Sequence, residues 1–182
     1  MATSAIAPPL AQLPNALTLA RFALIPVFIV LAVRAEEGPS IAAAVVFGIA
    51  ALTDQIDGWL ARRWNIESEF GKYADPLADR LMIDAAVVIL WLDGRLPLVA
   101  LAIILVRDGV LVVGSRLATK RGYEFAVTFL GKTATWILYL SLLMIMLTPA
   151  GTDWPLWVFY AGLALGVVAG LGYMRSVWRM AR

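Results

Sequence analysis

Apolar residues run through this chain in long stretches, and short polar interruptions separate them. The pattern predicts six helices, at about residues 16–34, 40–61, 73–92, 97–118, 129–149 and 155–176. Each approaches the ~20 residues that carry a helix across a ~30 Å hydrocarbon core. Breaks fall at Glu36 to Pro39, Arg62 to Lys72, Asp93 to Pro97, Lys120 to Gly122, and Pro149 to Pro155. Ahead of the first helix, the run Leu13-Pro14-Asn15 makes Asn15 the expected N-cap. No repeat, low-complexity tract or soluble second domain interrupts the series. Residues 1–182 therefore read as one all-α, polytopic membrane domain with six transmembrane helices, and 1–14 as an N-terminal segment.

Composition agrees with this reading. Hydrophobic residues make up 62% of the 182, and charged ones 15%, against about 45–50% and about 25% in soluble domains. A net charge of +2 offers no footing for nucleic acid. The placement of the positive residues says more. Ten lie on one side of the predicted spans: Arg62, Arg63 and Lys72; Arg116, Lys120, Arg121 and Lys132; Arg175, Arg179 and Arg182. The other side has only Arg34 and Arg95, beside Glu36, Glu37, Asp93 and Asp153. Positive residues stay cytoplasmic, so both termini and the 2–3 and 4–5 connections are expected in the cytoplasm, in a multi-pass protein of the cytoplasmic membrane. Residues 1–14 have neither the basic and apolar regions of a cleaved signal nor the charge of a basic amphipathic anchor. The chain has no cysteine and no histidine. Disulfides, zinc–thiolate sites and cysteine nucleophiles are excluded, proton transfer near neutral pH falls to carboxylate, Lys, Tyr or solvent, and metal ligands are oxygen donors suited to Mg²⁺, Mn²⁺ or Ca²⁺.

One stretch breaks the apolar rule: LTDQIDGWLARRWNIESEFGKYADPLADRL, residues 52–81. Asp54 and Asp57 fall near the cytoplasmic end of the second predicted helix, and Asp75 and Asp79 near the start of the third. Spacings of three and four put each pair on one helix face. Helices joined by a short connection are antiparallel neighbours, so the two pairs can face each other, with Asp54 and Asp79 each roughly 10 Å inside its helix end. Four crowded carboxylates raise one another's pKa, and desolvation adds to this. One or two divalent cations remove the conflict, and a carboxylate-bridged metal pair clamps phosphoryl oxygens during in-line displacement. The alternative, helix-end aspartates paired with Arg62, Arg63 and Lys72, suits any one of them better than all four, because ionisable groups inside a membrane default to function. Gly58 lets a ligand approach the backbone, Ala61 is small, Arg62 can fork onto a phosphate, and Gly71 precedes Asp75 by one turn. Their structural alternatives are packing through small residues at Gly58 and Ala61, a turn at Gly71, and cytoplasmic anchoring by Arg62.

Together these residues spell D-x2-D-G-x2-A-R-x8-G-x3-D-x3-D from Asp54 to Asp79. This resembles the signature of the CDP-alcohol phosphotransferases, with all eight fixed positions filled, and the likeness extends over a six-helix core of this size. The resemblance implies transfer of a phosphatidyl group from CDP-diacylglycerol to an alcohol, with release of CMP. It implies Asp54, Asp57, Asp75 and Asp79 as ligands of Mg²⁺ or Mn²⁺, two ions being expected, and Asp79 also as the base that deprotonates the acceptor hydroxyl. Gly58, Ala61, Arg62 and Gly71 would line the CDP site in a cavity facing the cytoplasm. A homodimer is expected from the resemblance alone.

The opening LPNALTLARFALIPVFIVLA resembles that of phosphatidylglycerophosphate synthases and of the cardiolipin synthases sharing the fold. Asn15, Thr18 and Arg21 share a face there, and either touch the nucleotide or make an N-cap and interhelical hydrogen bonds. Further on, Arg107 either meets the acceptor or pairs with Asp84 or Asp79, while Arg116 and Lys132 suit an acceptor phosphate near the inner mouth. Glycerol-phosphate users of the family often carry GKxKT where this chain has GKTAT, residues 131–135. The acceptor is therefore expected to be glycerol-based, glycerol 3-phosphate first, phosphatidylglycerol (giving cardiolipin) second and an inositol phosphate third. An intramembrane prenyltransferase lacks the G-x2-A-R insert and needs more helices. A cation transporter needs an acidic cluster in the other leaflet to match this one, whereas this cluster is expected to open only to the cytoplasmic side.

Overall fold

The computed structural model describes residues 13–35, 40–64, 69–120 and 128–180. Those residues form α1 (Leu13–Val33), α2 (Ile41–Trp64), α3 (Glu69–Leu92), α4 (Leu98–Lys120), α5 (Phe129–Leu147) and α6 (Trp154–Met180). The all-α expectation is met. Several helix ends differ from the expected ones, and three of them change how site residues are read. Because α1 begins at Leu13, Asn15 is its third residue rather than its N-cap; Pro14 fits there because first-turn N–H groups have no intrahelical acceptor to lose. On α2, Ala61-Arg62-Arg63 favours helix and the helix continues to Trp64. The third helix starts early enough to include Gly71 and Lys72. Arg62, Gly71 and Lys72 thus lie on helices rather than in a polar break, which removes the turn alternative for Gly71. The N-terminal segment 1–12 and the expected breaks at 36–39 and 121–122 lie outside the described residues.

By length and composition, three stretches among the described residues can cross a membrane: Ala16–Val33, Phe129–Leu147 and Trp154–Gly172. The chain divides into two compact units, Met1–Ala85 and Ala86–Arg182. In the first, α1 packs on α2. Phe28 and Phe47 are fully buried there, their ring centroids 5.6 Å apart and their planes tilted by 43°. Ala32, Ala43, Ala44 and Ala50 bury around them, and such small side chains let helix backbones approach closely.

In the second unit α6 packs against both α5 and α4. Leu138, Leu142 and Ile145 on α5, and Phe159 and Leu163 on α6, are buried. Gly162 makes the α5–α6 contact possible, since a Cβ there would lie 2.9 Å from Ile137 Cγ2 and 3.2 Å from the Leu138 amide nitrogen. The N-terminus of α5 is capped by Thr128, whose hydroxyl accepts from the Gly131 N–H at 3.2 Å. At the end of α3, Gly94 takes φ +68°, the Arg95 N–H reaches back to Leu90 O at 2.8 Å, and the Gly94 N–H to Trp91 O at 3.0 Å. This pair of bonds is the Schellman arrangement, which glycine completes without strain. The break expected at Asp93 to Pro97 is therefore a specific helix stop.

Candidate active site

The aspartate pattern is borne on α2 and α3, with all four residues inside the first unit. Asp54 and Asp57 lie one turn apart on α2, and Asp75 and Asp79 one turn apart on α3. Just before Asp54, the Thr53 hydroxyl donates back to the carbonyls of Ile49 at 3.0 Å and Ala50 at 2.9 Å. That hydroxyl is thereby turned onto its own helix. On α3, Asp79 is half-buried, next to Ala78 and one turn from Met82, both fully buried. Its neighbours engage it in polar or electrostatic contact. Asn15, Asp54, Asp57, Gly58, Ala61, Arg62, Gly71, Asp75 and Arg116 have their place along a helix, but their side-chain surroundings lie outside the described residues.

The face of α1 expected to be polar is polar and buried. Thr18 is 0% exposed and Arg21 1%, and each has interaction partners. A buried guanidinium costs several kcal/mol unless it is engaged, so this cation serves a purpose. In the second unit, Arg107 Nη1 donates to Asp108 Oδ1 at 3.1 Å. That pair joins Arg107 to its own neighbour in sequence, both of them within the second unit. Lys132 is exposed in the first turn of α5. A cation there opposes the positive end of the helix dipole, so an anion at that end would relieve it.

The chemistry of the donor set fits a hard divalent cation. Four carboxylates stand on paired helical turns, and the chain has no softer His or Cys ligand to offer. Among the described side chains, no group of three or more acidic residues provides a competing metal site. Gly166 on α6 was not among the expected site residues. Its one signal in the sequence is a four-residue spacing with Gly162 and Gly170, whereas its contact with Arg107 is tertiary.

Comparison with known proteins decides the family. Residues 11–168 match the sequence model described as CDP-alcohol phosphatidyltransferase. The chain belongs to that family. The match runs through both compact units. The CDP-diacylglycerol--glycerol-3-phosphate 3-phosphatidyltransferase of Bacillus subtilis is 36% identical, over 92% of this chain and 95% of its own length. The protein of the same name from Escherichia coli K12 is 33% identical, over 93% of this chain and 91% of its own. A cardiolipin synthase (CMP-forming) of Streptomyces coelicolor is 35% identical, over 93% of this chain and 84% of its own. The CDP-alcohol phosphatidyltransferase resemblance carried by Asp54 to Asp79 is therefore borne out. The protein is a transferase of phospholipid biosynthesis.

Proposed function

We propose that this phosphatidyltransferase moves the phosphatidyl group of CDP-diacylglycerol onto glycerol 3-phosphate. The observation that carries this reading is the likeness, over more than nine-tenths of the chain, to two relatives named for that reaction. The acceptor hydroxyl attacks the phosphorus nearest the lipid, the pyrophosphate P–O bond breaks, and CMP leaves. Asp79 takes the hydroxyl proton. Asp54, Asp57, Asp75 and Asp79 would hold Mg²⁺ or Mn²⁺, in two ions, and a bound dication supplies charge neutralisation at the pyrophosphate. A carboxylate tied to a dication is a weak base, so Asp79 fits its role best as the least coordinated of the four. Gly58, Ala61, Arg62 and Gly71 would line the CDP site, with Asn15 and Thr18 beside the nucleotide. Arg107, Arg116 and Lys132 would hold the acceptor's phosphate.

A second acceptor, phosphatidylglycerol, is favoured by one specific observation. Ala134 stands where glycerol-phosphate users often carry the second lysine, and it is fully buried. The Streptomyces coelicolor relative is named for cardiolipin synthesis. An inositol phosphate comes third. CMP release and product mass, measured with each of the three acceptors offered in turn, test the assignment. A phosphatidylglycerophosphate product supports it, and cardiolipin or an inositol lipid in its place overturns it.

All six helices would span the bilayer as one domain, with both termini and the catalytic cavity on the cytoplasmic side. Support comes from the helices whose charges interrupt their apolar runs. On α2 the residues Ile41, Val45, Ile49, Leu52 and Ile56 form an exposed stripe at helical spacing, as do Val99, Ile103, Val106, Val110 and Val113 on α4. Soluble monomers rarely expose contiguous apolar patches beyond a few hundred Å², whereas lipid covers such stripes at no cost. Assembly as a homodimer rests on the family resemblance, and a monomeric mass in mild detergent at high concentration would refute it.

A further inference from the structure

Two glycines one turn apart on α6 differ in what they meet. A Cβ on Gly162 would strike the Leu138 backbone and the Ile137 side chain; this is a packing glycine between two helices. A Cβ on Gly166 would lie 3.1 Å from both Cζ and Nε of Arg107 and 3.3 Å from its Nη2. All three atoms belong to the far end of one side chain from α4. A side chain at 166 would thus press on the Nε–Nη2 edge of the guanidinium, which would have to give by a few tenths of an ångström.

The opposite edge of the same fork is committed to Asp108, and the two side chains are 11% and 5% exposed. Adjacent residues on a helix do not face each other, so the arginine must bend around α4 to make the pair. The bend is possible because nothing projects from α6 at 166. The surroundings are apolar: Val106, Val110, Val167 and Leu171, together with Arg107, line an open groove of about 350 Å³. In such a setting a displaced guanidinium loses its pairing without regaining water. The Arg107 Nε is buried and has no hydrogen-bond partner among the described residues.

We propose that Gly166 is a positioning residue for the acceptor: the slot left by its missing side chain keeps the Arg107 guanidinium in place beside Asp108, and so sets the affinity for the acceptor's phosphate. The inference rests on Arg107 as an acceptor-binding group, and its test separates the two. The experiment uses the full chain in mild detergent, with KM measured for glycerol 3-phosphate and for CDP-diacylglycerol, and Tm alongside. Gly166→Ala should raise the glycerol 3-phosphate KM roughly tenfold and leave the donor KM within about twofold, because the contact it disturbs is pairwise. On an Arg107→Lys background, where the planar head is gone, the same change should add less than about twofold.

Gly162→Ala serves as the packing control and should lower Tm without separating the two KM values. If Gly166→Ala instead behaves like Gly162→Ala, or acts equally on the Arg107→Lys background, Gly166 is a packing residue and the proposal falls. Should Gly166→Ala fail to fold, the double variant decides: recovery of folded protein supports a clash with Arg107, and continued failure overturns it. An unchanged acceptor KM in Arg107→Ala would remove the acceptor reading of Arg107 itself, and this inference with it.

Discussion

The guanidinium of Arg95 donates through Nη2 to the carbonyl oxygen of Thr148 at 2.6 Å. Thr148 caps the C-terminus of α5, so the bond ties the α3–α4 turn to the end of a third helix. Burial lowers the Arg95 pKa and the charge of Asp93 raises it; the cation also meets the negative end of the α5 dipole. Arg95→Met should cost about 1 kcal/mol of stability by removing a charged donor from a partly exposed carbonyl. A lowered Tm with both KM values unchanged is the expected result.

Glycines 94 and 109 should respond to alanine with opposite signs. A Cβ added at either would meet no atom within 4 Å, so backbone conformation alone decides. At Gly94, φ +68° makes alanine cost about 1–2 kcal/mol. At Gly109, inside α4, alanine should gain about 0.5–1 kcal/mol through helix propensity. Thermal unfolding of both variants in the same detergent checks the sign.

Asp79→Asn should lower turnover by roughly a thousandfold, the loss typical of a positioned general base. Binding of CDP-diacylglycerol should persist, in contrast to Asp54→Asn. Equal loss of donor binding in the two variants would make Asp79 a metal ligand only.

Removal of divalent ions by a chelator should abolish CMP release, and Mg²⁺ or Mn²⁺ should restore it, since the four-carboxylate set offers only hard oxygen donors. Activity that survives exhaustive chelation would leave those carboxylates without the role given them.

Topology can be read with thiol labelling, because the chain has no cysteine of its own. Ala150→Cys should react with a membrane-impermeant maleimide in intact cells. Arg182→Cys should react only after lysis. The reverse pattern would invert the orientation drawn from the positive residues.

The six helices were legible because apolar run length and Gly/Pro punctuation are local properties, and local hydrogen bonding decides where a helix can exist. The Asp93 to Pro97 stop shows this most clearly: glycine, then proline, became a Schellman turn. The aspartate spacing was equally legible, since a signature of eight residues over 26 positions is a one-dimensional object. Helix ends were less so. The polar residues Arg62, Gly71 and Lys72 looked like a break, but nothing in them forbids helix, and α2 and α3 extended over them.

The sequence by itself determined that this chain is helical and apolar and that it carries the chemistry of its family, because those follow from residue type and spacing. Only the tertiary structure decided that Arg107 pairs with Asp108 beside Gly166, and that Arg95 closes onto Thr148 across 53 residues. Contacts of that kind depend on how helices cross and where side chains bend. Both are set by packing between distant segments, which no local spacing encodes.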